Sequence, residues 1–423
     1  MTKTTALTYK YLHFVNYSTL LLWDIKRYFA TQVLSSFPIV RLGDYIYEES
    51  AKYVISDPTK KYGILGVNNQ TGIFDAYEEN GSNIKQKYKK MQVGWIAYNP
   101  YRVNVGSIGI RREEHHYEYI SPAYVVFSCK NGLLSDFLFL LMKTDFFNKI
   151  IRENTTGSVR QNLNFSVLSN LQIPLPSLEE QNKIVATYNA TIAQADNYAK
   201  QADDINNQIG EYLGITLGIA NQVVKKHPIG KLYFMKSSQI TRWDVWNVVT
   251  SIYSGKYPLA LLQNIIKMQS GKFLPSKEQK GGEYNVYGGN GLTGTHNKFC
   301  FSGKRIVIGR VGEYCGNVHL IEGDYWITDN ALKVDKTTED VTWEYLTIAL
   351  KSLNINQYRS ISAQPSISQT KILQLQIPIP PIDIQNEIVE HISALRAEQK
   401  NLQQHASELR LQAQQQFEQT IFE

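Results

Sequence analysis

The sequence predicts a mixed α/β (α+β) chain of two globular bodies in tandem pseudo-repeat, each followed by a long helix. Three observations predict it. The text QIPLPSLEEQNKIV at 172–185 returns as QIPIPPIDIQNEIV at 376–389. Apolar residues after each copy recur at alternating threes and fours, the spacing of a helical seam. The text between them mixes short β-rich runs with Gly, Asn and Asp turns. A length of 423 residues suggests two to four compact units. At 43% hydrophobic and 12% aromatic the chain can fill buried cores, which excludes disordered and collagen-like classes.

The repeat is carried by fixed offsets. Gln172, Ile173, Pro174, Pro176, Gln181, Asn182, Ile184 and Val185 match Gln376, Ile377, Pro378, Pro380, Gln385, Asn386, Ile388 and Val389, all 204 residues on. Upstream, Phe14, Ser18, Trp23, Asp24, Pro38 and Leu42 match Phe234, Ser238, Trp243, Asp244, Pro258 and Leu262 at an offset of 220. The first copy is therefore 16 residues longer between these anchors. The leader Met1–Leu22 mirrors 221–242 only in part.

Each tail starts after proline-rich text, where proline suits the first turn of a helix but not its interior. In the first tail the seam is Ile184, Tyr188, Ala195, Tyr198, Ala202, Ile205, Ile209 and Tyr212, and the helix is expected to stop near Gly210–Gly214. In the second it is Ile392, Leu395, Leu402, Ala406, Leu409 and Ala413, with Gln399 as a polar interruption. A narrow seam of this kind suits a coiled coil. Two covers are open to it: its own body, or the other tail. Two similar half-hydrophobic helices that each need a cover favour pairing with one another.

Charge separates tails from bodies. Residues 177–213 hold six acids and two bases, and residues 381–423 hold seven acids and three bases, so each tail carries net −4. The whole chain is +6, which leaves +14 on the remainder. A polyanion should meet the bodies rather than the tails. In the bodies, strands are expected at WIAY (95–98), AYVVF (123–127), RIVIG (305–309) and WIT (326–328). Helices are expected at Ser135–Arg152 and Thr342–Leu353.

Several chemistries lack their residues. Cys129, Cys300 and Cys315 are far apart with no CxxC pair, which argues against a disulfide framework or a structural zinc and fits a reducing cytoplasm. The most apolar stretch, Phe137–Phe147, holds Lys143 and Asp145, whereas a membrane span needs about 20 apolar residues. No export signal is read in the N-terminal text. Gly289–Gly294 matches GxGxxG, but β-like text follows where a dinucleotide loop needs a helix, so a turn is expected. Asn99-Pro100-Tyr101 resembles part of the Asn-Pro-Pro-aromatic loop of amino-methyltransferases. It lacks the second proline and reads as a turn. There is no phosphate loop and no HExxH. His115–His116 sits in a charged stretch without ligand spacing and is expected on the solvated surface. No catalytic or metal-binding residue and no resident cofactor is assigned.

The bodies do offer groups that fit nucleic acid. In the first they are Asn68, Asn69 and Gln70 in GVNNQTG, Lys85, Lys87, Lys89 and Lys90 in IKQKYKK, and Arg102 after the Asn99 turn. In the second they are Lys272 and Lys277 in SGKFLPSKEQK, Asn290, Thr293 and His296 in YGGNGLTGTHN, and Arg310 in IGRVG. Amides can pair bidentately with adenine and Arg or Lys with guanine, while lysine clusters hold phosphates without reading sequence. Any one of these is more often ordinary surface. The whole set, on basic bodies joined by acidic tails, favours DNA.

With these residues in view, the chain resembles the specificity subunit of type I restriction–modification systems, over nearly its whole length. The two IPxP…Q..IV tails carry the resemblance most strongly. YNVYGGNGLTGTHN, IVIGRVGEYCGNV (306–318) and TDNA (328–331) support it in the second body. GWIAYNPYRVNVGSIGI (94–110) and ISPAYVVF (120–127) do so in the first.

The resemblance implies two target recognition domains, 1–167 and 226–371, each reading one half of a split double-stranded DNA site. It implies helical regions at 168–225 and 372–423 that form an antiparallel coiled coil. It further implies two adenine-methyltransferase subunits and an ATP-driven restriction subunit as partners, with S-adenosylmethionine, ATP and Mg bound there and none here. A first helix of about 36 residues, at 1.5 Å each, would be about 55 Å long, enough to hold half-sites more than one ~34 Å turn apart. The bodies differ greatly between their anchors, so two different half-sites are expected. Other readings stay open from the residues: a stand-alone two-headed DNA-binding protein such as a repressor, a structural coiled-coil dimer, or a piece of a fused methyltransferase–nuclease. Recovery as a stable free monomer with tight specific affinity would favour the repressor.

Overall fold

The computed structural model describes residues 33–103, 106–154, 162–218, 255–279, 281–360 and 364–422. The anchors Phe14, Ser18, Trp23, Asp24, Phe234, Ser238, Trp243 and Asp244 lie outside the described residues, as do both leader segments. The chain divides into two compact units, Met1–Asn197 with His405–Glu423, and Tyr198–Gln404.

The first body runs β1 (Ile39–Arg41), β2 (Ile46–Glu48), β3 (Lys52–Tyr53), β4 (Lys61–Val67), β5 (Ile73–Asn80), β6 (Tyr88–Lys90), β7 (Ile96–Tyr98), β8 (Ile108–Ile110), β9 (Tyr119–Ile120) and β10 (Val125–Cys129). Helices α1 (Ser135–Lys143), α2 (Asp145–Asn154) and α3 (Phe165–Ser169), strand β11 (Gln172–Pro174) and the long α4 (Leu178–Leu217) follow. The second body runs β12 (Leu259–Leu261), α5 (Leu262–Ile265), β13 (Ile266–Ser270), β14 (Tyr284–Gly288), β15 (Gly291–His296), β16 (Phe301–Ser302), β17 (Arg305–Gly309), β18 (Val318–Ile321), β19 (Asp324–Ile327) and β20 (Ala331–Lys336). Then come α6 (Trp343–Ser352), α7 (Gln369–Leu373), β21 (Gln376–Pro378) and the long α8 (Ile382–Phe422).

The sequence repeat is a repeat of topology. Each body has a four-stranded antiparallel sheet, in the order β2-β10-β7-β8 in one and β13-β20-β17-β18 in the other. Each has a second sheet in which a hairpin strand pairs in parallel with a later strand, β4 with β9 and β14 with β19. In the first body that sheet gains one strand, β3, in the order β3-β6-β9-β4-β5, against β15-β14-β19-β16 in the second. The QIP text forms the same closing ribbon twice. Ile39 pairs with Pro174 and Leu259 with Pro378, so the offsets of 220 and 204 meet in one register. Proline is tolerated there because a two-stranded ribbon has open edges.

The glutamine of the repeat locks each long helix to its body. Gln181 and Gln385 are fully buried. The Gln181 side-chain oxygen accepts the Leu134 N–H at 2.8 Å, and its amide donates to the Gly132 and Pro176 carbonyls, both at 2.9 Å. Gln385 repeats the pattern with the Thr342 N–H (2.9 Å) and the Asp340 (2.7 Å) and Pro380 (2.9 Å) carbonyls. Leu134 and Thr342 are the residues that start α1 and α6.

In the first unit, Phe127, Phe137, Leu138, Leu141 and Ile151 fill the space between the four-stranded sheet and its helices. Burying side chains of this size contributes about 1.5–3 kcal/mol each. The end of α8 joins the same core through Phe417 and Ile421. Phe417 lies 6.1 Å from the Tyr188 ring of α4 and 5.9 Å from Phe137. Asp196 and Arg410 form an ion pair at 2.8 Å. In the second unit, Ile205, Ile209, Leu213 and Leu217 of α4 pack with Ile388 and Ile392 of α8, against Leu332, Leu346 and Leu350 of the body. The two helices therefore run antiparallel, and the seam covers both of its candidate surfaces, the other tail and a body. Of the expected seam, Ile205, Ile209 and Ile392 are buried, while Ile184, Tyr188, Tyr198, Leu395, Leu402 and Leu409 are half-buried. The polar interruption is a cross-helix bond: buried Gln399 donates to the Ala202 carbonyl at 2.7 Å.

Two expectations need correction. The first long helix does not stop near Gly210–Gly214 but runs to Leu217. A helical glycine costs about 1 kcal/mol, and burial of Leu213 and Leu217 outweighs it. The helix expected at Ser135–Arg152 is two helices, α1 and α2, broken at Thr144. The Thr144 hydroxyl donates to the Leu141 carbonyl (2.7 Å) and accepts the Phe147 N–H (3.1 Å), so one side chain ends one helix and caps the next.

Candidate nucleic-acid interface

In the first body, two hairpin ends are brought together. The β4–β5 loop holds Asn68, Asn69 and Gln70, with the backbone N–H of Asn68 bonded to the Gly72 carbonyl at 2.9 Å. The β7–β8 connection holds Arg102, whose N–H bonds the Asn99 carbonyl at 3.0 Å, which confirms the expected turn. The two adjoin: a side chain at Gly72 would meet Gly109 and Ile108 at 3.3 Å. Asn69, Gln70 and Arg102 are exposed. Asn69 also lines a 260 Å³ cavity with Gly106, Asn148 and Tyr188. Asn68 has a different task. Its side-chain oxygen accepts the Gln70 N–H (2.9 Å), the Thr71 N–H (2.7 Å) and the Thr71 hydroxyl (3.1 Å), so it shapes the loop that presents its neighbours.

The lysine run lies two strands from β4, on and before β6. Its four members separate by burial. Lys85 and Lys87 are exposed and form no ion pair among the described residues. Lys90 pairs with Glu118 at 3.1 Å, and that hydrogen-bonded carboxylate holds its pKa above the usual lysine range. Lys89 is not presented to a partner, contrary to the reading of the whole run as phosphate contacts. It is buried, its ammonium donates to the Tyr124 carbonyl at 2.9 Å, and desolvation pulls its pKa down. On β6, Lys89 and Lys90 point to opposite faces; the Lys89 face is covered, while on the other face Tyr88 is buried and Lys90, at the strand's end, is exposed. The neighbouring histidines divide in a similar way. His116 is exposed, but His115 is half-buried. Its ring accepts the Arg112 N–H at 2.8 Å and lies 2.9 Å from the Ile73 carbonyl.

In the second body, every expected residue but Lys277 has a hydrogen-bond or ring partner: Lys272, Thr293 and His296 around the loop 271–279, and Asn290 and Arg310 in bonds of their own nearby. The GxGxxG text is the β14–β15 hairpin, with Gly291 at φ 86°, a conformation that glycine adopts without strain. Its turn packs so closely on β17 that a side chain at Gly309 would stand 2.1 Å from the Gly289 carbonyl. Asn290 accepts from the Asn317 amide at 3.4 Å. The Thr293 hydroxyl donates to Gln279 at 2.9 Å, which ties the hairpin to the loop 271–279. His296 packs edge-on against Trp326 with ring centres 5.4 Å apart, and the Trp326 indole donates to the Lys272 carbonyl at 3.0 Å. Arg310 donates to the Ser270 hydroxyl at 3.2 Å and, through its backbone, to the Asn330 carbonyl at 2.9 Å. Lys277 is exposed on the same loop as Lys272.

Sequence reasoning left out two residues that adjoin these groups. Asn330 lines two depressions, of 320 and 260 Å³, that share Gly289. Thr328 lines the larger one; it is 2% exposed, and its hydroxyl has no hydrogen-bond partner among the described residues. Both stand in TDNA, quoted above only for its resemblance. The signal that could have found them is a run of polar residues directly after an apolar strand. A buried hydroxyl without a partner is uncommon.

Comparisons with known proteins agree with this arrangement. The family model described as "Type I restriction modification DNA specificity domain" matches residues 47–207 and again 261–410, once over each body and its tail. The chain is 31% identical over 130 residues to the type I restriction enzyme EcoprrI specificity subunit of Escherichia coli, a match covering 29% of this chain and 32% of that protein. It is 27% identical over 149 residues to the MjaIX specificity subunit of Methanocaldococcus jannaschii, covering 35% and 31%. The matches thus span about a third of the length of these curated relatives. A chain from a solved type I R-M system structure shares the fold, with a TM-score of 0.56 at 16% identity over 92% of this chain and 98% of that one. A family match repeated in register with the two bodies covers most of the sequence: the chain belongs to the type I restriction-modification DNA specificity family.

Proposed function

We propose that the chain is the non-catalytic DNA-recognition subunit of a type I restriction–modification complex. Residues 1–167 and 226–371 act as target recognition domains, and the helical regions 168–225 and 372–423 form the spacer between them. Each domain reads one half of an interrupted, asymmetric site in double-stranded DNA. The helices carry two methyltransferase subunits and a restriction–translocase subunit. S-adenosylmethionine, ATP and Mg are assigned to those partners, and the complex acts in the cytoplasm. Among the described residues no helix is long and apolar enough to cross a membrane.

One observation carries the reading. The two bodies share a framework down to the strand register of their closing ribbons, yet present different side chains at matched loops: Asn68-Asn69-Gln70 on one hairpin, Gly289-Asn290 on the other. A common frame with unlike tips suits two readers of unlike sequences. Mapping N6-methyladenine across the host genome, with and without this chain, tests it. The expected result is a bipartite motif with two different halves that vanishes when the chain is removed. Unchanged methylation, or two identical halves, would overturn it.

A further inference from the structure

The sequence repeat preserves one solvent-facing feature that the proposed reading does not use. Ser50, Lys52 and Tyr53 stand 220 residues before Ser270, Lys272 and Phe273, the same offset that aligns the first strands of the two ribbons. Both triplets lie at or just beyond the first strand of a four-stranded sheet, β2 in one body and β13 in the other. Both aromatics are exposed, Tyr53 by 48% and Phe273 by 73%. Each is backed by a buried anchor close behind it, Ile55 or Leu274.

The exposure is built, not loose. Tyr53 lies on β3, the strand that the second body's sheet lacks, opposite Tyr88 of the lysine-bearing strand β6, so the match with Phe273 is one of sequence offset and exposure. Phe273 sits in a loop pinned on both sides. The Lys272 N–H bonds the Ile327 carbonyl at 2.8 Å, the Trp326 indole bonds the Lys272 carbonyl at 3.0 Å, and the Gln279 amide bonds the Leu274 carbonyl at 3.0 Å. A phenylalanine held this far into water contributes little to its own fold. Its recurrence as tyrosine beside a matched lysine, in bodies whose hairpin tips differ, points to a task common to both and independent of the bases read.

We infer that Tyr53 and Phe273 are matched aromatic wedges, one in each body, that press into a base step of duplex DNA while the adjoining lysines hold the phosphates. Apolar side chains inserted between base steps partly unstack them. A step loosened beside each half-site would lower the cost of drawing out a neighbouring base for modification. The inference rests on the DNA-recognition reading.

The test uses the full chain assembled with its methyltransferase partners, on duplexes carrying the mapped site with 2-aminopurine moved through each half. Wild type should raise the fluorescence at one step beside each half-site. Tyr53→Ala should abolish the rise in one half and Phe273→Ala in the other. Each should weaken binding about tenfold, with the salt dependence and thermal midpoint kept. Tyr53→Phe and Phe273→Tyr should restore the signal. Alanine variants that bind and unstack like wild type would overturn the inference and leave the DNA reading intact. No specific binding by wild type would overturn both.

Discussion

The side-chain oxygen of Gln181 accepts the backbone N–H of Leu134 at 2.8 Å, at the point where α1 begins. One glutamine thereby joins the first turn of a 40-residue helix to the first turn of a helix in the body. Its amide is equally committed, to Gly132 and Pro176. Gln181→Ala should cost about 2 kcal/mol, because it leaves an N–H and two carbonyls without a protein partner, the Pro176 carbonyl in a buried bond and the other two in partly buried ones. Urea unfolding would show the loss, and Gln385→Ala should reproduce it in the second unit.

Gln399 is the opposite case. It interrupts an apolar seam, and its amide bonds the Ala202 carbonyl at 2.7 Å. That carbonyl already belongs to the helical ladder, and Arg396 keeps Asn206 as a partner at 2.8 Å. Gln399→Leu should therefore hold thermal stability or raise it by about 1 kcal/mol, while loosening the register that a single buried amide specifies. A loss above about 2 kcal/mol would show that the bond supports the fold itself.

The lysine run should divide in solution as it does in the structure. Replacing Lys85 and Lys87 by alanine should weaken binding to every duplex and lower the salt slope by about 2, close to one per phosphate contact. Lys89→Ala should instead lower the unfolding midpoint and leave the slope alone, since its ammonium is bonded inside the protein.

His319 gives the second unit an acid-sensitive element. The ring is half-buried beside the β14–β15 hairpin, and burial, with Lys351 adding to it, lowers its pKa from the ordinary 6.5. Between that lowered value and 6.5 the unfolded chain binds a proton that the folded chain refuses. Stability should be complete above about pH 6.5 and decline as the pH falls through the folded value. His319→Asn should flatten this part of the profile, as read by thermal midpoints across the acid range.

If the paired helices set the spacing of the half-sites, inserting one heptad into each should move them. Seven residues add about 10 Å of helix, close to three base pairs at roughly 34 Å per turn of ten. The methylation motif should gain about three unread bases and keep both halves. A motif of unchanged length would show that spacing is set elsewhere.

The framework was legible because it is written twice. Proline-bounded QIP text and a 3-4 seam return at fixed offsets, and each is local in the chain. What stayed hidden depends on distant partners. Nothing near Lys89 says that its strand turns it inward toward Tyr124. Nothing near Thr144 says that one hydroxyl will serve two helix ends. Gly210 and Gly214 read as a stop because the apolar cover that carries α4 on to Leu217 lies more than a hundred residues away. The DNA-facing set was found as residue types, but the structure alone separates Asn68, which shapes its loop, from Asn69 and Gln70, which the loop presents.

The last turns of α8 complete the core of the first body, with Phe417 and Ile421 packed among residues made hundreds of positions earlier. That body made alone would therefore keep part of its hydrophobic face uncovered until residues 417–421 follow. A premature stop that removed only the final helical turns would leave the later half of the polypeptide able to form and injure the earlier one. The first body is thus completed by text that follows the second in the sequence, despite the modular look of the repeat.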